Sequence, residues 1–169
     1  MFRFFPRTLS LAAALTAVLV TPSAARAQGS TSSQGGEGEV MAVVKRLFDG
    51  MRAGDSSMVR SVFHPQVRLI SASTGRDGKP RLNVESSADN FAKAVGTPHA
   101  AVWDERIWNE KVQIDGPIAS VWVDYSFRTG DTFSHCGIDH FLLVKDAGAW
   151  KIMELADTRR TEGCDRSKD

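Results

Sequence analysis

KVQIDGPIASVWVDYSFRTGDTFSHCGIDHFLLVKDAGAWKIMELADTRR, residues 111–160, decides the fold. The start of this stretch leads through Asp115-Gly116-Pro117 into a run over 118–128. Thr129-Gly130 turns that run into 131–145, and Ala147-Gly148 turns it again into 150–160. Runs rich in Val, Ile, Phe, Trp and Tyr, split by Gly-containing turns, are the pattern of an antiparallel meander. Working outward, 102–114 opens the sheet and 67–72 reads as a separate strand, followed by a turn-rich loop over 75–80.

Upstream the period changes. Val40, Val43, Val44, Leu47, Phe48 and Met51 fall on one helical stripe. Gly54 ends that helix, and Asp55 can cap a shorter one carrying Met58, Val59, Val62 and Phe63. Pro65 stops it, with His64 in the restricted position before proline. Ser86 or Ser87 can cap a third helix through Phe91, Ala94 and Val95, closed by Gly96 and Pro98. Helices first and a long curved sheet last predict an α+β cone: a curved antiparallel sheet wrapped by N-terminal helices around one pocket.

The beginning of the chain reads differently. Arg3 and Arg7 precede an apolar run over 9–20, and Ala25-Arg26-Ala27 supplies a small-x-small cleavage pattern. Residues 1–27 are therefore expected to be a secretory signal peptide, cleaved after Ala27 on export to a periplasm. Residues 28–38, rich in Gly, Ser and Gln, read as a flexible linker. One domain over 39–162 and a short tail over 163–169 complete the division. Three of the 21 basic residues lie in the leader, so the mature chain carries 18 against 20 acidic ones. That balance argues against nucleic acid or an anionic membrane as partner and leaves a small molecule.

Register can be counted from the turns. With two-residue turns at 129–130 and 147–148, Arg128 pairs with Asp131 and Asp146 with Ala149. Asp124 then lies opposite His135, and His135 opposite Arg160. Side chains alternate across a strand. One face collects Val121, Val123, Tyr125, Cys136, Ile138, His140, Leu155, Asp157 and Arg159, and as the more apolar it should meet the helices. Its polar members become the site candidates, with Trp108 reachable from the preceding strand. His140 and Asp157 are candidate acid and base. Tyr125 can donate to a developing oxyanion, and Arg159 can hold a carboxylate or phosphate. Each has a plainer alternative: an Asp157–Arg159 ion pair, an interior His140, a core Tyr125. A single β-bulge would exchange the faces and bring Asp124, His135 and Asp139 into the pocket instead. Otherwise Asp124, His135 and Arg160 form a charge ladder on the outer face.

Trp122, Phe141, Leu143, Trp150 and Ile152 fall on that supposedly outer face, an apolar set that suggests a homodimer through the convex sheet. His135, Cys136, Asp139 and His140 cluster in sequence, but on a strand they point both ways, with same-face members about 13 Å apart. No metal site is expected, and His64 and His99 add only weak candidates. No cofactor is expected either, since phosphate-binding Gly loops and a Gly-x-Ser-x-Gly elbow are absent from the sequence. The two cysteines, Cys136 and Cys164, can form a disulfide in an exported protein if the tail folds back at Gly163.

The helix, the Gly-Asp-capped short helix, "FHPQVRLIS", the connecting helix and strands ending "DAGAWKIMELAD" resemble the nuclear-transport-factor-2-like superfamily, whose fold is a cystatin-like α+β roll. Within it the chain is most similar to the bacterial Putative lumazine-binding and SnoaL-like branch, over about residues 39–161. The turn 146–150 is one residue longer than the usual Asp-Gly-Lys-Trp. The resemblance implies the cone and its pocket. It implies either a small-ligand-binding protein for an apolar or aromatic molecule, or a cofactor-free cyclase, isomerase or dehydratase, or a dimeric scaffold.

Overall fold

The computed structural model describes residues 30–165 and 167. The expected signal peptide lies outside the described residues. Nine elements follow in order: α1 (Ser30–Ala53), α2 (Ser56–Val62), β1 (Phe63–Thr74), β2 (Pro80–Glu85), α3 (Asp89–Gly96), β3 (Trp103–Asp115), β4 (Ile118–Thr129), β5 (Thr132–Asp146) and β6 (Ala149–Arg159). The strands form one six-stranded sheet in the order β2-β1-β6-β5-β4-β3. It is antiparallel except where β1 runs parallel to β6. Among the described residues no helix is long and apolar enough to cross a membrane.

The helical stripe becomes the core: Val40, Val44, Leu47, Phe48 and Met51 of α1 are buried against the sheet. Phe48 meets Phe141 of β5 edge to face, with ring centroids 6.1 Å apart. Gly54 takes φ +65°, a left-handed conformation that suits glycine and lets the chain reverse. Asp55 then accepts hydrogen bonds from the backbone N–H of Ser57 and Met58, capping α2. At the third helix the Ser87 hydroxyl accepts from the N–H of Asp89, and Ala92 and Val95 are buried.

Two expectations change. Residues 30–38, read as a linker, are helical and continue α1 backwards. That end is held against the sheet: Glu39 pairs with Lys145 at 3.0 Å, and Gly36 sits so close to Ile114 that a Cβ would be 3.3 Å from its Cδ1. Beyond the predicted loop, 80–85 forms strand β2, whose apolar residues Leu82 and Val84 face solvent. Without a buried face, this strand carries no alternation signal; pairing with β1 alone defines it.

Register is where the counting departs most. The Ala147-Gly148 turn pairs Asp146 with Ala149, but the preceding hairpin closes as Thr129 with Thr132. This one-residue displacement of the turn moves every partner by two and leaves the faces unchanged. A bulge then intervenes: Arg128 pairs with Phe133 and Phe127 with His135, leaving Ser134 over. One extra residue inverts all of β5 relative to β4. A second bulge leaves Met153 over, so that Leu143 pairs with Ile152 but Leu142 with Glu154. Phe141, Leu143 and Ile152 accordingly turn inward and are fully buried, with Trp150 nearly so. Of the five apolar residues placed outside by counting, only Trp122 is exposed, at 47%. The Asp124–His135–Arg160 ladder does not form, since Asp124 pairs with Ile138 and Arg160 bridges to Cys136.

Candidate functional site

The helices cover one end of the curved sheet and leave the other open. At the open end lies a cavity of about 670 Å³. Its walls are Met51, Leu69, Ile70, Phe91, Trp103, Phe127 and Leu155, with Ser71, Asn83, Glu85, Asn90 and Ser134 at intervals. It narrows to a recess of about 70 Å³ that reaches Tyr125 and Asp139 and shares Glu105, His135, Asp157 and Arg159 with the wider cavity.

Alternation along each strand delivers these groups. On β3, Trp103, Glu105 and Ile107 share the inner face, and Glu105 stands opposite Phe127 of β4. On β5 the bulge at Ser134 turns His135, Gly137, Asp139 and Phe141 inward, with Asp139 between Val123 of β4 and Asp157 of β6. Leu155, Asp157 and Arg159 project from β6.

The charged groups form two sets. Arg159 Nε donates to Asp157 Oδ2 at 2.5 Å, and the Ser71 hydroxyl donates to the same oxygen at 3.3 Å. The second set is Glu105 with Asp139, whose carboxyls meet. Asp139 is 2% exposed, and its Oδ2 has no hydrogen-bond donor among the described residues. Burial raises the Glu105 carboxyl to about 7, with the charges of Asp157 and Asp104 adding to the rise. Burial, then the charge and hydrogen bond of Glu105, hold Asp139 well above the usual carboxylate range. Two carboxylates side by side, Asp139 buried and Glu105 partly so, repel, so the stable arrangement near neutral pH is one proton shared by the pair.

Tyr125 lies flat across Gly137, where an added Cβ would be 2.8 Å from its ring and 1.7 Å from the Thr158 carbonyl oxygen. Its hydroxyl donates to that carbonyl at 2.9 Å. Burial and the nearby Asp139 and Glu105 push its ionisation far up, so it stays a neutral phenol. An aromatic row runs along this wall: His99 stacks on Trp103 at 4.0 Å, Trp103 meets Phe127 edge-on, and Phe127 and Tyr125 both contact the His135 ring. Burial, assisted by Arg159, lowers the His135 pKa and keeps the ring neutral. Its Nδ1 lies 2.9 Å from the Ser134 hydroxyl.

Among the residues singled out from sequence, Tyr125, Asp157 and Arg159 reach the cavity, joined by His135 and Asp139 through the bulge. His140 does not: it pairs with Trp122 on the outer face, and its Nε2 is 3.0 Å from the Ser120 hydroxyl. Trp108, opposite Asp124, and Asp124 itself, bonded at 2.7 Å to the Asn109 side chain, also lie on that outer face. Cys136 and Cys164 are joined by a disulfide, which pins the tail beside β5. Among the described residues no three His, Cys, Asp or Glu side chains are placed to share a metal ion. His64 accepts from the Gln66 N–H, and His99 bonds the Ala94 carbonyl. Glu105 was missed altogether. Its signal is an acid between two aligned apolar residues, Trp103-x-Glu105-x-Ile107, which buries a carboxyl if that face is internal.

Solved structures share this architecture at low sequence identity. An NTF2-like protein with a cystatin-like fold from Novosphingobium aromaticivorans is similar at TM-score 0.62 and 10% identity, covering 79% of this chain and 87% of that one. A protein of unknown function from Mycobacterium tuberculosis gives TM-score 0.64 at 15% identity, covering 83% and 82%. A "putative ketosteroid isomerase" from Shewanella frigidimarina gives 0.53 at 21%, covering 70% and 94%. These likenesses establish a nuclear-transport-factor-2-like, cystatin-like α+β fold. No curated protein matches in sequence. The model of the family described as "Putative lumazine-binding" matches residues 36–155, most of the described chain, and the protein belongs to that family.

Proposed function

We propose that this protein is an exported small-ligand-binding protein, holding one apolar or aromatic molecule with a polar end inside the cone. The observation that carries this reading is the cavity. At about 670 Å³ it falls within the size range of small-molecule sites, and its largely apolar walls carry polar groups at intervals, with Glu105, Asp157 and Arg159 beside the recess. Most of those groups already have partners: Asp157 with Arg159 and Ser71, and Tyr125 with Thr158. Such a lining favours holding a molecule over transforming it. Export is supported by the leader pattern ending at Ala27 and by the Cys136–Cys164 bridge, which suits an oxidising compartment.

One observation favours a second reading, a cofactor-free isomerase, cyclase or dehydratase. Glu105 is poised near neutrality beside Asp139 at the edge of the cavity, and a group so tuned can take up and return a proton.

Native mass spectrometry of the mature protein from its own host, against a denatured control, tests the first reading. A co-purified organic molecule of a few hundred daltons is expected. An empty protein across repeated preparations overturns a tightly binding module. Incubating the recovered molecule with the protein in D2O separates the two readings. Deuterium entering a carbon position supports proton transfer, and its absence supports binding alone.

A further inference from the structure

The acid excess at the end of the cavity restricts what can bind there. Among the described residues Arg159 is the only cationic side chain lining the cavity or its recess, and Asp157 already takes it at 2.5 Å. What remains is the Glu105–Asp139 pair, including an Asp139 oxygen that is buried and without a donor among the described residues. A buried acceptor with no donor is costly, and a ligand that brings one recovers that cost. The recess, at about 70 Å³, has room for roughly two waters or one ammonium head, not for a carboxylate with its own hydration. Beside it, Trp103, Phe127 and His135 present a continuous aromatic wall, a surface that favours cations as well as apolar bodies.

We propose that the pocket takes an organic monocation, an arylalkyl ammonium or similar amine, whose charged head lies between Glu105 and Asp139. This rests on reading the cavity as a ligand site. The balance is simple: the ammonium N–H groups donate to the two carboxylates, and the shared proton leaves to solvent. No covalent bond changes. The body of the ligand lies along Trp103 and Phe127, while the Asp157–Arg159 pair stays intact beside it.

The charged and titratable groups around the pair come from every neighbouring strand. They are Asp104 of β3, held by Arg52 of α1 and by Arg106; Tyr125 of β4; His135 of β5; Asp157 and Arg159 of β6; and Glu85 of β2 at the cavity wall. From α3 and β1 come Asn90 and Ser71, which do not titrate. Because the bound cation requires both carboxylates ionised, affinity should rise with pH through the Glu105 value of about 7 and go on rising beyond it, since Asp139 is also held well above the usual carboxylate range.

The test is calorimetric titration of the full mature protein with three ligands of one body: tryptamine, its neutral alcohol tryptophol, and the anionic indole-3-propionate. Each is run at pH 7.5 in two buffers of different ionisation enthalpy. Tryptamine is expected to bind at least about tenfold more tightly than either analogue, releasing about one proton per ligand. Its affinity should rise from pH 6 to 8 while that of tryptophol stays flat. In Glu105→Gln the preference and the proton release should both disappear. Asp139→Asn repeats the comparison, and circular dichroism identifies whichever variant is folded. Equal or tighter binding of tryptophol or the anion overturns the cation assignment while leaving a ligand pocket. Tryptamine preference without proton release overturns the role of the carboxyl pair. No binding by any of the three at millimolar concentration overturns both the assignment and the pocket as a site for such molecules.

Discussion

The closed and open ends of the cone are built by the same three strands, yet they differ completely in what they bury. Toward the closed end, β4, β5 and β6 contribute Val121, Phe141, Leu143 and Ile152, all fully buried beneath α1. A few residues away on the same faces stand Tyr125, His135, Asp139, Asp157 and Arg159. The strands run on from one end to the other, through the bulge at Met153 in β6. What changes is the cover: Leu47 and Phe48 of α1 lie over the closed end and border the recess, whereas over the wider cavity Met51, Phe91 and Ala94 stand around empty space. A sheet face is thus a core or a site depending on whether a helix reaches it. The carboxyls stand at the end with the cavity, and even there the buried Asp139 bears the cost as a raised pKa.

The sharpest way to test that division is to truncate one ring at each end. Phe141→Ala removes a fully buried ring in contact with Phe48 and should cost about 3–5 kcal/mol in urea unfolding. Phe127→Ala, a partly buried wall residue, should cost clearly less and weaken ligand binding instead. Equal losses of stability would break the distinction.

Next in size is the carboxyl pair. The folded state holds Glu105 at about 7 against an ordinary value of 4.5. An acid with a raised pKa contributes stability that is complete below its unfolded value and is lost as pH rises through the folded one. Stability should therefore decline between about pH 4.5 and 7, by roughly 3 kcal/mol for the full shift. Glu105→Gln should flatten that decline and make the protein more stable than wild type at pH 8. An unchanged slope in thermal melts from pH 4 to 8 would show that the pair is not what titrates.

The smallest effect is expected on the outer face. Trp122 is half-exposed, with its ring 5.8 Å from that of His140. Trp122→Ser should change the unfolding free energy of the monomer by less than about 0.5 kcal/mol. A much larger loss, appearing only at high protein concentration, would mean that this face is covered by a second copy.

Much of the fold was legible because its signals are local. The stripe from Val40 to Met51, the Gly54-Asp55 break and the Ala147-Gly148 turn need only a few neighbouring residues to be read, and each stands where counted. Tyr125, Asp157 and Arg159 reach the cavity because β4 and the pocket end of β6 keep the face assigned to them. His140 and Trp108 fall outside it for different reasons. The bulge at Ser134 inverts β5, while β3 meets β4 in a register that no turn count through Asp115-Gly116-Pro117 could carry past a third irregularity, at Asn109.

From the chain alone came the helical period, the strand breaks, the charge balance and the family likeness, all properties of residues near one another in sequence. Tertiary structure decided which side of β5 faces the cavity and which carboxyl stands beside Asp139. The physical reason is that strand side chains alternate with period two. One unpaired residue, placed to relieve the curvature of a closing sheet, reverses every assignment beyond it. Glu105, on a strand that no turn count tied to β5, could join Asp139 only when the sheet curled.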